Sequence, residues 1–133
     1  FLALKVPELF PRIVAISPNY LASGTTDGTL RLFRAIRGVM TFIGRLGFNT
    51  KKEIGRLDLM LRDIGITDDE LRSIRTNMKI LYAERELIKE EHIKQIASLI
   101  PNASVDKIMG CHHMTILNKR EAIEVMKVYM LKT

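Results

Sequence analysis

Three short candidate strands, each followed by helix-patterned sequence, constrain this chain more than any other feature, the first of them a β-branched run between breakers. Arg12-Ile13-Val14-Ala15-Ile16-Ser17 lies between Pro11 and Pro18, and Met78-Lys79-Ile80-Leu81-Tyr82-Ala83 forms the second run. The third, Ser104-Val105-Asp106-Lys107-Ile108-Met109, begins after the Pro101-Asn102 turn signal and closes at Gly110. Runs of this length and composition read as buried strands. After the second, Ile93, Ile96, Leu99 and Ile100 recur on one face of a helix over 88–100. After the third, Ile123, Met126, Val128 and Met130 mark a helix over 118–131, with Asn118 as its N-cap and Glu121 three residues on. Strand, helix, strand, helix with short connections is the pattern of parallel βαβ units, so the fold class is α/β with three parallel strands and flanking helices.

The remaining segments are helical. The opening Phe1-Leu2-Ala3-Leu4-Lys5-Val6-Pro7-Glu8-Leu9 reads as a helix already under way, and a chain that starts on Phe1 is expected to be a fragment. Residues 19–76 separate the first two strands, an excursion long for a plain crossover. It opens with the loop Ser23-Gly24-Thr25-Thr26-Asp27-Gly28 and continues as helices over 30–45, 50–63 and 67–75, the last with Thr67 as cap before Asp68-Asp69-Glu70. It reads as a lid, whose Phe33, Met40, Phe42, Ile43, Leu46 and Phe48 are expected to form its core, although a lid over an acyl or aryl site would use the same residues.

At 133 residues, 47% hydrophobic and 27% charged, the chain suits one packed core. The net charge of +6 is spread from Lys5 to Lys132 with acids between, and few aromatics accompany it, so neither nucleic acid nor a membrane surface is expected as partner. No apolar run approaches the ~20 residues that span a bilayer, and no signal-peptide pattern opens the chain, which points to the cytoplasm. The single cysteine excludes an internal disulfide framework, and no cofactor motif is present.

In an open parallel sheet the carboxyl ends of the strands face the ligand. The second strand ends in Glu84-Arg85-Glu86 and the third in Gly110-Cys111-His112-His113, so a carboxylate and a histidine reach one edge from neighbouring strands. An acid that orients an imidazole has that arrangement. Competing readings are bland. Cys111 reads as a buried thiol, His112 as a residue pointing away from its neighbour, and His92 with Glu90 and Glu91 as the first turn of a helix; the three histidines lack a metal-ligand spacing. Ser17 and Ser23 lie near a strand end outside any elbow motif, and neither reads as a nucleophile.

These stretches together resemble the C-terminal portion of the α/β-hydrolase superfamily: a strand ending in an acid-bearing turn, a helix, the turn Ile100-Pro101-Asn102-Ala103, a strand ending in Gly-x-x-His, and a last helix. Upstream, residues 1–20 resemble the family's helix after the nucleophile elbow and its next strand, so the likeness covers nearly the whole chain. It implies a partial hydrolase core in 1–18 and 77–133 and a helical cap in 19–76. It also implies that Glu86 is the triad acid and His113 the triad base, with the Gly-x-Ser-x-Gly nucleophile and oxyanion donors preceding Phe1. Two positions depart from the family pattern, glutamate for the usual aspartate and Ala83 for the usual glycine, and Glu84 stands as the alternative acid. The implied function is esterase-like hydrolysis of a small-molecule acyl bond by the parent protein, these residues alone being silent; the alternative is a non-catalytic binding module on the same scaffold. The first strand, without its family neighbour, is expected to expose an apolar edge and to drive homo-oligomer formation.

Overall fold

The computed structural model describes residues 2–131, and the side chains of residues 3–131. A short helix α1 (Leu2–Lys5) stops before Pro7, whose ring cannot continue it, and a 3₁₀ turn (Pro7–Leu9) replaces the longer helix read from the sequence; Phe1 lies outside the described residues. Then follow β1 (Arg12–Ile16), α2 (Asp27–Arg45), α3 (Lys51–Met60), α4 (Asp68–Ser73), β2 (Asn77–Arg85), α5 (Glu90–Leu99), β3 (Ala103–His112) and α6 (Arg120–Leu131). The strands form one parallel sheet in the order β1-β2-β3, with Ile16 opposite Leu81 and Leu81 opposite Asp106. The expected fold class and three-stranded parallel arrangement are those observed.

The chain divides into two compact units, Phe1–Pro18 with Ile66–Thr133, and Asn19–Gly65. The division falls before α4, inside the segment read from the sequence as the 19–76 insertion. The reason is local: α4 packs on α5 of the sheet unit and buries Leu71. Its start is a full capping box, the Thr67 hydroxyl accepting from the Glu70 N–H while the Glu70 carboxylate accepts from the Thr67 N–H.

β2 lies between its two neighbours and is buried almost throughout, which is why it reads as a continuous apolar run rather than an alternating one. Its side chains still alternate between faces. Leu81 and Ala83 join Ile108, Cys111, Ile116 and Ala122 in a core that Val14, Ile16, Val125 and Met126 close from β1 and α6. On the opposite side Tyr82 lies under the Lys107 ammonium, 5.8 Å from its ring centre.

Lys107 also donates to Glu90 at 2.8 Å, and Lys94 donates to the same carboxylate at 2.7 Å. Held first by Lys107 and then by Lys94, the Glu90 carboxyl falls from the ordinary 4.5 to about 2. Burial pushes the His92 imidazole below its ordinary 6.5. Both shifts are depressions, so both contributions to stability are complete above the unfolded-state value and fade as pH falls. The urea midpoint is therefore expected to drop on acidification below 6.5 through His92 and again between 4.5 and about 2 through Glu90. In E90Q the second drop should flatten; a profile identical to wild type would show that these ion pairs do not set acid stability.

In the Asn19–Gly65 unit, α2 and α3 are tied by the Arg37–Asp58 ion pair, and the ends of the segment meet where the Ile64 N–H donates to the Tyr20 carbonyl at 3.1 Å. The Thr50 hydroxyl donates to the Met40 carbonyl at 3.0 Å at the turn between the helices. The expectation that Phe42, Leu46 and Phe48 belong to a core is corrected: they are 62%, 62% and 67% exposed. Two helices share a single seam, and an apolar stripe as wide as that of α2 extends beyond it. No helix among the described residues is long and apolar enough to cross a membrane.

Candidate active site

The carboxyl end of β3 does not stop at Gly110. Pairing passes from Ala83 opposite Ile108 to Arg85 opposite His112, so β3 carries extra residues there and bulges. Gly110 provides the turn with φ 63°, a left-handed conformation in which a side chain is strained. Its N–H donates to the Glu84 carboxylate at 2.8 Å, which occupies Glu84 on the bulge. Beyond it the His113 N–H donates to the Arg85 carbonyl at 3.0 Å, and the Thr115 N–H returns to the His112 carbonyl at 2.8 Å. The backbone of the histidine is thus pinned to the strand end that carries the acid.

The His113 ring meets Glu86, with Nδ1 2.7 Å from Oε2. Glu86 is buried, its side chain only 6% exposed against 29% for His113. A buried carboxylate requires compensating donors, and this one has a complete set. Oε1 accepts from the Ser17 hydroxyl and from the Ala83 N–H at 2.8 Å; Oε2 accepts from His113 and from the Leu87 N–H at 3.1 Å. An ionised carboxylate is an acceptor only, so against it Nδ1 is the donor, and a neutral ring then keeps the Nε2 lone pair. The arrangement can take up a proton at Nε2 and stabilise the resulting imidazolium through the adjacent negative charge.

Of the residues singled out in the sequence, Glu86 and His113 come together and Glu84 does not join them. Cys111 is buried, its Sγ donating to the Ile108 carbonyl at 3.3 Å, as a core thiol does. His112 is exposed, and His92 is buried in the first turn of α5. Among the described residues no group of three His, Cys, Asp or Glu side chains could hold a metal ion. The sequence marks Ser17 only as a serine near a strand end outside any elbow motif and gives no local sign of its contact with Glu86. A hydroxyl at the carboxyl end of the strand beside the acid's strand was the available signal.

The fold has close counterparts among solved structures. An α/β-hydrolase enzyme from a Medee basin deep-sea metagenome library superposes with a TM-score of 0.67 over 98% of this chain and 60% of its own, at 15% identity. This chain carries part of the α/β-hydrolase fold. The enol-lactonase from Burkholderia xenovorans LB400 (TM-score 0.64, 14% identity, 98% of this chain and 60% of that one) and the carboxylesterase CesB from Bacillus subtilis (0.61, 17%, 96% and 54%) share it. The chain therefore spans about 54–60% of the length of these structures. Likeness at such identities is one of fold. No family model matches the sequence, and no curated protein does.

Proposed function

We propose that the chain supplies the base and the acid of a serine-type acyl hydrolase acting on an ester-like bond of a small molecule. The single observation that supports this reading is the 2.7 Å contact between His113 Nδ1 and a buried, fully donor-satisfied Glu86. Names of similarly folded proteins, an enol-lactonase and a carboxylesterase, agree with ester-like substrates. In this reading a serine on a preceding segment attacks the carbonyl, and His113 Nε2 takes its proton and later returns it to the leaving group. Glu86 holds the ring and stabilises the imidazolium; oxyanion donors come with the nucleophile.

The test is reaction with a fluorophosphonate, whose fluoride leaves as a serine oxygen bonds to phosphorus. The protein with its natural preceding segment is expected to take up one equivalent and lose esterase activity together, while residues 1–133 alone take up none. Absence of both label and turnover in the longer protein would overturn the reading and leave the sheet as a binding scaffold.

The same chain should self-associate. Among the described residues β1 pairs with β2 alone, so it is an edge strand of the sheet at Ile13, Val14 and Ala15. Sedimentation of residues 1–133 at micromolar concentration is expected to give a dimer or larger species; a sharp monomer boundary would count against strand-edge pairing.

A further inference from the structure

The acid has a partner that base-and-acid chemistry does not itself require. Ser17 follows the last residue of β1 and is, among the described residues, the one non-glycine with a left-handed backbone, φ 45°. Its N–H still donates to the Leu81 carbonyl at 2.8 Å, so the ladder with β2 continues through it. The residue is buried, and its hydroxyl donates to Glu86 Oε1. A glycine would adopt this backbone without strain. What serine adds is the hydroxyl, and a strained residue persists where its surroundings hold it for a reason.

Geometry excludes Ser17 as the nucleophile. Its hydroxyl donates to Glu86 Oε1, while the histidine nitrogen nearest that carboxyl, Nδ1, is already committed to Oε2 at 2.7 Å. Oε1 is shared by the Ser17 hydroxyl and the Ala83 N–H, and Oε2 by His113 and the Leu87 N–H, so Ser17 is the donor that ties the carboxylate to the end of β1. A glutamate has one more rotatable bond than an aspartate, and its terminal torsion is broad. The two backbone donors come from the acid's own strand end and turn, and Ser17 adds a side-chain anchor from the neighbouring strand.

We infer that Ser17 is a positioning residue, holding the plane of the Glu86 carboxylate so that Oε2 faces His113 Nδ1 and the ring keeps Nε2 open for a proton. The inference rests on the reading of Glu86 and His113 as acid and base, yet its test requires no substrate.

The experiment is nitrogen NMR of residues 1–133 labelled in histidine, in mildly basic solution. It reads the share of His113 in the Nδ1–H form and the rate at which that proton exchanges with water. Wild type is expected to hold the Nδ1–H form. S17A and S17G should both raise the Nε2–H share and speed the exchange about tenfold, the scale of one lost hydrogen bond to a charged group. S17G relieves the backbone while deleting the hydroxyl, so an effect common to both variants belongs to the hydroxyl. E86Q is the reference for the pair: its amide can donate to Nδ1 and drive the ring to Nε2–H. If E86Q changes the ring and neither Ser17 variant does, the role of Ser17 is overturned and the pair stands. If E86Q leaves the ring as it was, the pair itself falls and Ser17 with it.

Discussion

On the proposed reading, Glu86→Gln in a protein that also carries the nucleophile is expected to lower kcat by about 10⁴-fold with little change in KM, and His113→Ala by about 10⁵-fold or more. The asymmetry follows from what each group does. In that reading, without the imidazole no group accepts the proton of the proposed serine. Without the carboxylate the imidazole remains, but an amide at the Glu86 position presents N–H groups to Nδ1 and favours the tautomer whose Nε2 already carries a proton. The double variant should be no slower than His113→Ala alone, because residues that act as a unit are not additive. Glu84→Gln separates the two candidate acids. The Glu84 carboxylate binds the Gly110 N–H at 2.8 Å, so its loss should lower stability modestly and leave kcat within about tenfold of wild type. Steady-state kinetics with a chromogenic ester decide the matter: near-normal turnover in Glu86→Gln and collapse in Glu84→Gln would reverse the assignment.

How far the sequence reveals this arrangement depends on whether the determining contacts are local. The strands were legible because the middle of β2, Ile80 to Ala83, is buried and apolar, β1 sits between two prolines, and β3 follows the Pro101-Asn102 turn, although β3 runs on through Gly110. The Thr67 cap was legible because its partner, Glu70, is three residues away. Helix α6 was misplaced at its start. Asn118 has the chemistry of an N-cap, but residues Ile116–Asn118 form a 3₁₀ turn that buries Ile116, and the helix begins at Arg120. There a tertiary demand, filling the core under β3, overrode a local preference. Glu86 and His113 were legible as a pair only through the parallel topology, which brings the two strand ends to one edge. The Ser17 contact was beyond reach: it joins residues 69 apart, and depends on a φ of 45° that serine rarely adopts. The exposed phenylalanine and leucine of α2 mark the opposite failure, where helical periodicity announces an apolar face and is silent on how much of it a neighbouring helix covers.

The largest effect on folding is expected from Leu81→Ala. Leu81 is fully buried in the central strand, and the side chains around it come from all three strands, the turn after β3 and α6. Such a site cannot collapse from one side without dragging the sheet, so the void persists and the cost lies in the range of about 2–5 kcal/mol. A domain of this size has about 5–15 kcal/mol in total, so the variant should lose a large share of its urea midpoint. Leu81→Met, which nearly conserves volume, should cost less than about 1.5 kcal/mol. The same residue bears on the site through its backbone. Its carbonyl accepts the Ser17 N–H at 2.8 Å, and Ser17 in turn holds Glu86. Hydrogen exchange at the Ser17 amide should therefore accelerate in Leu81→Ala in step with the loss of global stability, because the strand end opens only when the sheet does. If the Ser17 amide exchanged faster than the core amides of β2 already in wild type, the acid would rest on a locally mobile strand end. Leu81→Ala would then act on the fold without loosening the support of the site.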